Sequence, residues 1–222
     1  MNSIAIDGPA GAGKSSIAKM LAGKLSYIYV DTGAMFRAMA LYLLRCGVNA
    51  EDAAAISAHC KEADITIRIK DGAQVVLLNG EDVSPYIRTQ EVGEMASRSS
   101  VNPDVRAKLL ELQRALAARE NVVMDGRDIG TVVLPDAPVK IYLTASPEVR
   151  AKRRCLQLEE SGQTADYDQV LAEIRERDYR DMNRAIAPLK QAEDAILVDS
   201  SNMTIPEVLD TFLKIAEDRL GK

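Results

Sequence analysis

Five short apolar runs punctuate this chain, and four of them end in aspartate: Ile4-Ala5-Ile6-Asp7, Ile28-Tyr29-Val30-Asp31, Val122-Val123-Met124-Asp125 and Ile196-Leu197-Val198-Asp199, with Val139 to Thr144 as the fifth. A helical segment follows each. Strands that are apolar almost throughout, alternating with helices, predict a parallel sheet covered on both faces. A carboxylate at the carboxyl end of such a strand stands where open α/β sheets bind ligands. It can equally cap the next turn or helix, and Asp7 and Asp199 are expected to do no more than that.

The first run opens directly into IDGPAGAGKSS. Gly8, four residues, then Gly13-Lys14-Ser15 match the phosphate-binding loop, in the strand–loop–helix setting that its chemistry requires. The helix is expected over Ser16 to Lys24, with Ile17, Met20, Leu21 and Leu25 at helical spacing. Glycine lets consecutive N–H groups turn inward on a polyphosphate, and the helix adds the positive end of its dipole. Gly8, Pro9, Ala10, Gly11, Ala12, Gly13, Lys14, Ser15 and Ser16 are thus the expected ATP-binding residues. Lys14 reaches the β and γ phosphates, and the Ser15 hydroxyl ligates Mg²⁺.

Composition closes off other classes. The formal net charge is −5, so no basic surface for a nucleic-acid polymer is expected. No apolar run approaches the ~20 residues of a membrane span, and the first strand begins too early for a signal peptide. Cys46, Cys60, Cys155 and the one histidine, His59, form no metal-ligand cluster. A reducing, cytoplasmic setting and a monomer are expected.

A single domain over 1–222 is expected, with two interruptions. In residues 63–83, Ile65, Ile67 and Ile69 alternate with Thr66, Arg68 and Lys70; Asp71-Gly72 marks a turn, Val75 to Leu78 a second strand and Asn79-Gly80 a second turn. This small antiparallel meander is too small for a core of its own. Residues 146–187 read as charged helices broken by the polar loop SGQTADYD, residues 161–168. They form either a flap over a site or a solvated surface hairpin.

Three further stretches bear on what the nucleotide is for. In DTGAMFR, Thr32 and Arg37 follow the second strand. In MDGRDIGT, Asp125 ends a strand like a Walker B carboxylate, able to hold Mg²⁺ directly or through water, and Arg127 and Asp128 follow in a Gly-flanked turn. In RERDYRDMNR, Arg177, Asp181 and Arg184 fall at i, i+4 and i+7, with Arg180 on the same side. The turn can be purely structural, and the helix simply charge-balanced. Yet these stretches use Arg and never Lys, and the planar guanidinium suits phosphate oxygens. So many arginines beyond Lys14 suit a donor triphosphate facing an acceptor phosphate. Such an acceptor, with a second pKa of about 6, is largely ionised at pH 7 and needs no dedicated base. Alignment and charge neutralisation then suffice.

The chain resembles the bacterial cytidylate kinases, of the nucleoside monophosphate kinase group, over almost its whole length. IDGPAGAGKSS, DTGAMFRAMA, NGEDVSPYIRTQEVGEMAS, DGRDIGTVVLPDAPVKIYL and EIRERDYRDMNRAIAPL carry the resemblance, the last two most specifically. It implies a P-loop kinase fold with a five-stranded parallel sheet flanked by helices, a nucleoside-monophosphate-binding insert over 61–95 and a lid over 151–170. It implies transfer of the ATP γ-phosphoryl group to CMP or dCMP with Mg²⁺. It further implies that Ser97, Arg106 and Asp128 lie at the cytosine, that Thr32, Arg177 and Asp181 hold the sugar or nearby phosphate, and that Arg37, Arg127 and Arg184 clamp phosphate. Lys14, Arg127, Arg177 and Arg184 would be the catalytic set. Two positions depart from many relatives: Phe36 stands where a Tyr is common, and Thr32 where a Ser is.

Two other functions remain compatible with the residues. One is a P-loop kinase for UMP, AMP or a small hydroxyl compound, which leaves the extra arginines less well explained. The other is a nucleotide-dependent switch, although no N-K-x-D base-reading motif occurs.

Overall fold

The computed structural model describes residues 1–70 and 73–221. The turn expected at Asp71-Gly72 lies outside the described residues. Five strands, β1 (Ser3–Asp7), β2 (Ile28–Asp31), β6 (Val122–Gly126), β7 (Val139–Thr144) and β8 (Ile196–Asp199), form a parallel sheet in the order β2-β6-β1-β7-β8. β1 pairs with β7 in register Ile4↔Val139 to Asp7↔Tyr142, and β7 with β8 from Ile141↔Ile196 to Thr144↔Asp199. A second, antiparallel sheet holds β3 (Ile65–Lys70), β4 (Ala73–Leu78) and β5 (Glu81–Asp82) in sequence order. All five expected apolar runs are strands of the large sheet, and the expected meander is the small one.

The chain groups into two compact units. The first is essentially Ser26–Val122; the second joins Asn2–Leu25 to Val123–Lys222. In the first, helices α2 (Thr32–Arg45), α3 (Ala53–Cys60), α4 (Gln90–Ser99) and α5 (Pro103–Ala117) share a core with the meander. Met35, Met39 and Leu43 of α2 pack there with Ile65, Leu78, Met95 and Leu109, all nearly or fully buried. The meander therefore gains its stability from α2 and α4 rather than from its own strands.

In the second unit, helices α1 (Lys14–Leu25) and α8 (Ile205–Leu220) cover part of the sheet. Leu21, Ile4, Ile6, Met124 and Phe212 are fully buried. Thr204 and Glu207 form a reciprocal capping box at the start of α8, and Gly221 ends it in the left-handed conformation. Helices α6 (Pro147–Glu160) and α7 (Tyr167–Asn183) pack through Ala151, Val170 and Ile174. The polar loop between them is shorter than expected, because Asp166 already caps α7 by accepting from the Gln169 amide. Likewise α1 begins at Lys14, so Lys14 and Ser15 belong to its first turn.

The strand order fixes where a ligand can sit. From β1 the chain moves to β2, beyond β6; from β6 it moves to β7, on the other side of β1. Connections leave β1 and β6 in opposite directions, which opens a crevice at their carboxyl ends. Asp7 ends β1 and Asp125 is the penultimate residue of β6.

Candidate active site

The loop after β1 is shaped by close approach. Gly8 has φ +147°, and a Cβ there would stand 1.9 Å from the Leu143 carbonyl oxygen, so no other residue fits without moving the backbone. Gly11 and Gly13 also have positive φ, at +75° and +90°. Lys14 is buried, and its Nζ donates to the Pro9 carbonyl at 2.7 Å, folding the side chain back over the loop. Burial and the nearby Arg127 and Arg177 charges push the Lys14 pKa well below its ordinary value, while Asp125 and Asp7 pull it back up. Anionic phosphate oxygens in the loop would act in the same direction as those aspartates.

Ser15 Oγ donates to Asp125 Oδ2 at 2.8 Å, linking the first turn of α1 to the end of β6. This places the two residues expected to serve a cation side by side. One hydroxyl and one carboxylate suit Mg²⁺, which keeps several waters and takes substrate phosphate oxygens. Among the described residues no group of three or more His, Cys, Asp or Glu forms a closed metal cage.

Beyond β6, Arg127 and Asp128 meet the end of α7 in two crossed ion pairs. Arg127 Nε donates to Asp181 Oδ2 at 2.8 Å, and Arg184 Nη2 approaches Asp128 Oδ1 at 3.4 Å. Arg184 also donates through Nε to the Ala187 carbonyl at 2.7 Å. Burial works against the Asp181 charge, but Arg127, Arg177 and Arg184 outweigh it and hold its carboxyl below the usual range. The helical spacing of Arg177 and Asp181 therefore brings them together as expected. Arg184 arrives differently: it is the C-cap of α7, with extended backbone at φ −63° and ψ 142°. Arg180 does not share this side; it is exposed, with its Nε 3.8 Å from Glu176 in an i,i+4 pair.

The other expected ligands belong to the first unit. Thr32 is the buried first residue of α2, behind the Asp31 cap, whose Oδ1 accepts from the Ala34 amide at 2.9 Å. Arg37 is half-buried one turn on, and Ser97 half-buried in α4. Arg106 donates to the Ser100 carbonyl at 3.1 Å and lays its guanidinium over the Phe36 ring, 5.4 Å from the centroid. That ring is the residue that departs from the common Tyr, and here its face supports a cation.

Three residues had no signal in the sequence. Gln74 grips the Asp31 backbone from both sides, accepting from its N–H at 2.6 Å and donating to its carbonyl at 3.2 Å. Arg88 reaches Asp31 Oδ2 at 3.2 Å. Arg150, buried in the first turn of α6, donates to Asp178 through both terminal nitrogens and to the carbonyls of Ala10 and Ala145. Asp199, as expected, caps locally, accepting from the Ser201 amide at 2.9 Å. Asp7 caps too, but not the next turn: its partners are Ile129 and Gly130.

The cytidylate kinase model of known protein families matches residues 4–218. The chain belongs to the cytidylate kinase family. It is 53% identical to a cytidylate kinase of Caldicellulosiruptor saccharolyticus over 98% of this chain and 96% of that one. It is 51% identical to a cytidylate kinase of Mycobacterium leprae, again over 98% and 96%. Among solved structures, a gluconokinase from Sinorhizobium meliloti matches with a TM-score of 0.52 at 16% identity, covering 99% of this chain and 94% of that one. That likeness concerns the fold alone. As a member of the cytidylate kinase family the chain is an ATP-dependent nucleotide kinase with an α/β P-loop fold.

Proposed function

We propose that this protein transfers the γ-phosphoryl group of ATP to CMP or dCMP, giving ADP and CDP or dCDP. The observation that carries this reading is the 53% and 51% identity, over 98% of this chain, to relatives that are cytidylate kinases. Within the second unit, the buried Lys14 over the phosphate loop and the Ser15–Asp125 bond support it. Gly8 to Ser16 hold the ATP phosphates, with Lys14 on the β and γ groups. Ser15 and Asp125 hold Mg²⁺, which when bound with the nucleotide neutralises phosphate charge. Arg37, Arg127 and Arg184 bind the acceptor phosphate, and Thr32, Arg177 and Asp181 the sugar or phosphate beside it.

Base choice falls to Ser97, Arg106 and Asp128. Cytosine presents an amine that donates and ring acceptors at N3 and O2. A carboxylate only accepts and a guanidinium only donates, so Asp128 and Arg106 suit cytosine and mismatch uracil. Each mispaired polar contact costs about 1–3 kcal/mol, or roughly tenfold to a hundredfold in preference. No general base is assigned, because the acceptor phosphate is already largely ionised. Catalysis is alignment plus charge stabilisation by Lys14, Arg127, Arg177 and Arg184.

The reading is of a monomer acting on small nucleotides, and the net charge of −5 argues against a basic surface for nucleic-acid polymers. Cys46, Cys60 and Cys155 are free thiols, which supports a reducing, cytoplasmic setting. Among the described residues no helix is long and apolar enough to cross a membrane. The test is ADP release measured across CMP, dCMP, UMP and AMP. Acceptor-dependent release with CMP and dCMP well ahead is expected. Release independent of any acceptor, or led by AMP, overturns the reading.

A further inference from the structure

An aspartate in front of a helical turn normally caps that turn with its own carboxylate. Asp128 stands in that place, ahead of the π-helical turn Ile129–Val133, yet makes no side-chain cap bond to it. Its carboxylate faces Arg184 instead. The cap comes from elsewhere in the chain. Asp7 Oδ1 accepts from the Ile129 amide and Asp7 Oδ2 from the Gly130 amide, each at 2.7 Å.

We propose that Asp7 is a positioning residue for base recognition: by capping the Ile129–Val133 turn in place of Asp128, it leaves the Asp128 carboxylate aimed at the acceptor. The proposal rests on the reading of Asp128 as a base-contacting residue.

Several features fit a device built for this purpose. Asp7 is only 4% exposed, so its two acceptor oxygens are held to one geometry. Gly130 sits close against both side chains: a Cβ there would stand 3.4 Å from Asp7 Oδ2, an ordinary contact, and 3.2 Å from Lys140 Cδ, a tighter one. The arrangement is costly: burial pushes the Asp7 carboxyl up to about 6, despite the two amides and Lys14, and Asp128 pushes the same way. An asparagine would avoid that cost, but it has one acceptor oxygen and would turn an NH₂ toward the second amide. A π-helical turn is itself rare and occurs frequently at functional sites. Asp7 also precedes Gly8 directly, so one residue sets the start of the phosphate loop and the aim of the acceptor loop.

The test is a cycle of Asp7→Asn, Asp128→Ala and the double variant, with kcat/KM for CMP and UMP. Asp7→Asn is expected to narrow the CMP/UMP ratio about tenfold while KM for ATP stays within about twofold. In the Asp128→Ala background it should narrow the ratio no further. Equal slowing with both acceptors, or equal narrowing in both backgrounds, overturns the positioning role. An unchanged ratio in Asp128→Ala overturns the base-reading assignment itself, and with it the route by which Asp7 acts. The wild-type protein gives a check that needs no variant. The Ile129 and Gly130 amides should exchange slowly with deuterium, and rapid exchange of either overturns the clasp.

Discussion

Arg127 donates its Nε to Asp181 Oδ2 at 2.8 Å, across 54 residues of sequence. The bond fixes the plane of the guanidinium at the loop after β6, and Arg184 with Asp128 repeats the arrangement in reverse. If the pair acts as a unit, its two members are not independent. Arg127→Met and Asp181→Ala should each lower kcat/KM for CMP, and the double variant should lose less than the product, with a coupling of about 1–3 kcal/mol. Strictly multiplicative losses would show that the two residues act separately.

Lys14 folds back onto the Pro9 carbonyl and lies among Arg127 and Arg177. Lys14→Ala should reduce kcat by at least ~10²–10³, because charge developing on the transferred phosphoryl group loses a buried cationic partner. Circular dichroism should show the fold retained. Near-normal turnover by folded variant protein would remove Lys14 from the catalytic set.

The Ser15–Asp125 bond predicts a metal phenotype. Asp125→Asn should raise the Mg²⁺ concentration for half-maximal activity by about 10–100-fold, with activity partly restored by excess Mg²⁺. An unchanged Mg²⁺ titration would separate Asp125 from the cation.

Phe36 supports Arg106 through its ring face. Phe36→Leu keeps an apolar side chain but removes the π face, worth about 0.5–1 kcal/mol at a partly exposed site. KM for CMP should rise about two- to fivefold with KM for ATP unchanged. Phe36→Tyr should keep the effect of the ring. Equal CMP affinity in the leucine variant would mean that the stacking does not order Arg106.

Asp181 and Asp7 predict opposite pH effects on stability. The Asp181 carboxyl is held below its ordinary value of 3.8 by its arginines. Its contribution is therefore present above pH ~4 and is lost as acid protonates it in the folded state. Asp7 is raised from 3.8 to about 6, so as pH climbs from 4 to 6 the unfolded chain gives up its proton first, and folding loses stability over that interval. Urea unfolding from pH 3 to 7 should show the stability gap between wild type and Asp181→Asn shrinking toward the acid end. For Asp7→Asn, the variant should lack the wild-type loss between pH 4 and 6. The reverse trends would contradict these assignments.

The fold was legible because each strand of the large sheet is an almost wholly apolar run, and the meander because Ile65, Ile67 and Ile69 keep a period of two. The phosphate loop was legible because its spacing is local. What was hidden depends on partners far away in the chain. Arg150 looks like any residue of a charged helix until Asp178 and Ala10 bury it. Asp7 looks like a local cap, but its partners lie 122 and 123 residues on. Arg180 was misjudged for a local reason: it lies about 60° round the helix from Arg177 but about 100° from Asp181, and Glu176, one turn earlier, offers a partner on that side. Arg184 was placed by helical spacing although its backbone has already left the helix.

Arg150 anchors the α6–α7 hairpin at one end only. Its ties to Asp178, Ala145 and Ala10 all lie near the start of α6, whereas the connection at Ser161 to Thr164 is exposed at the far end. Mechanically the pair is a cantilever whose fixed root includes a carbonyl of the phosphate loop. A nucleotide that shifts Ala10 by a fraction of an ångström acts at the short end of a lever whose long arm is some ten residues of helix, about 15 Å. Small strain at the donor phosphates would in that geometry be converted into a larger excursion of the tip.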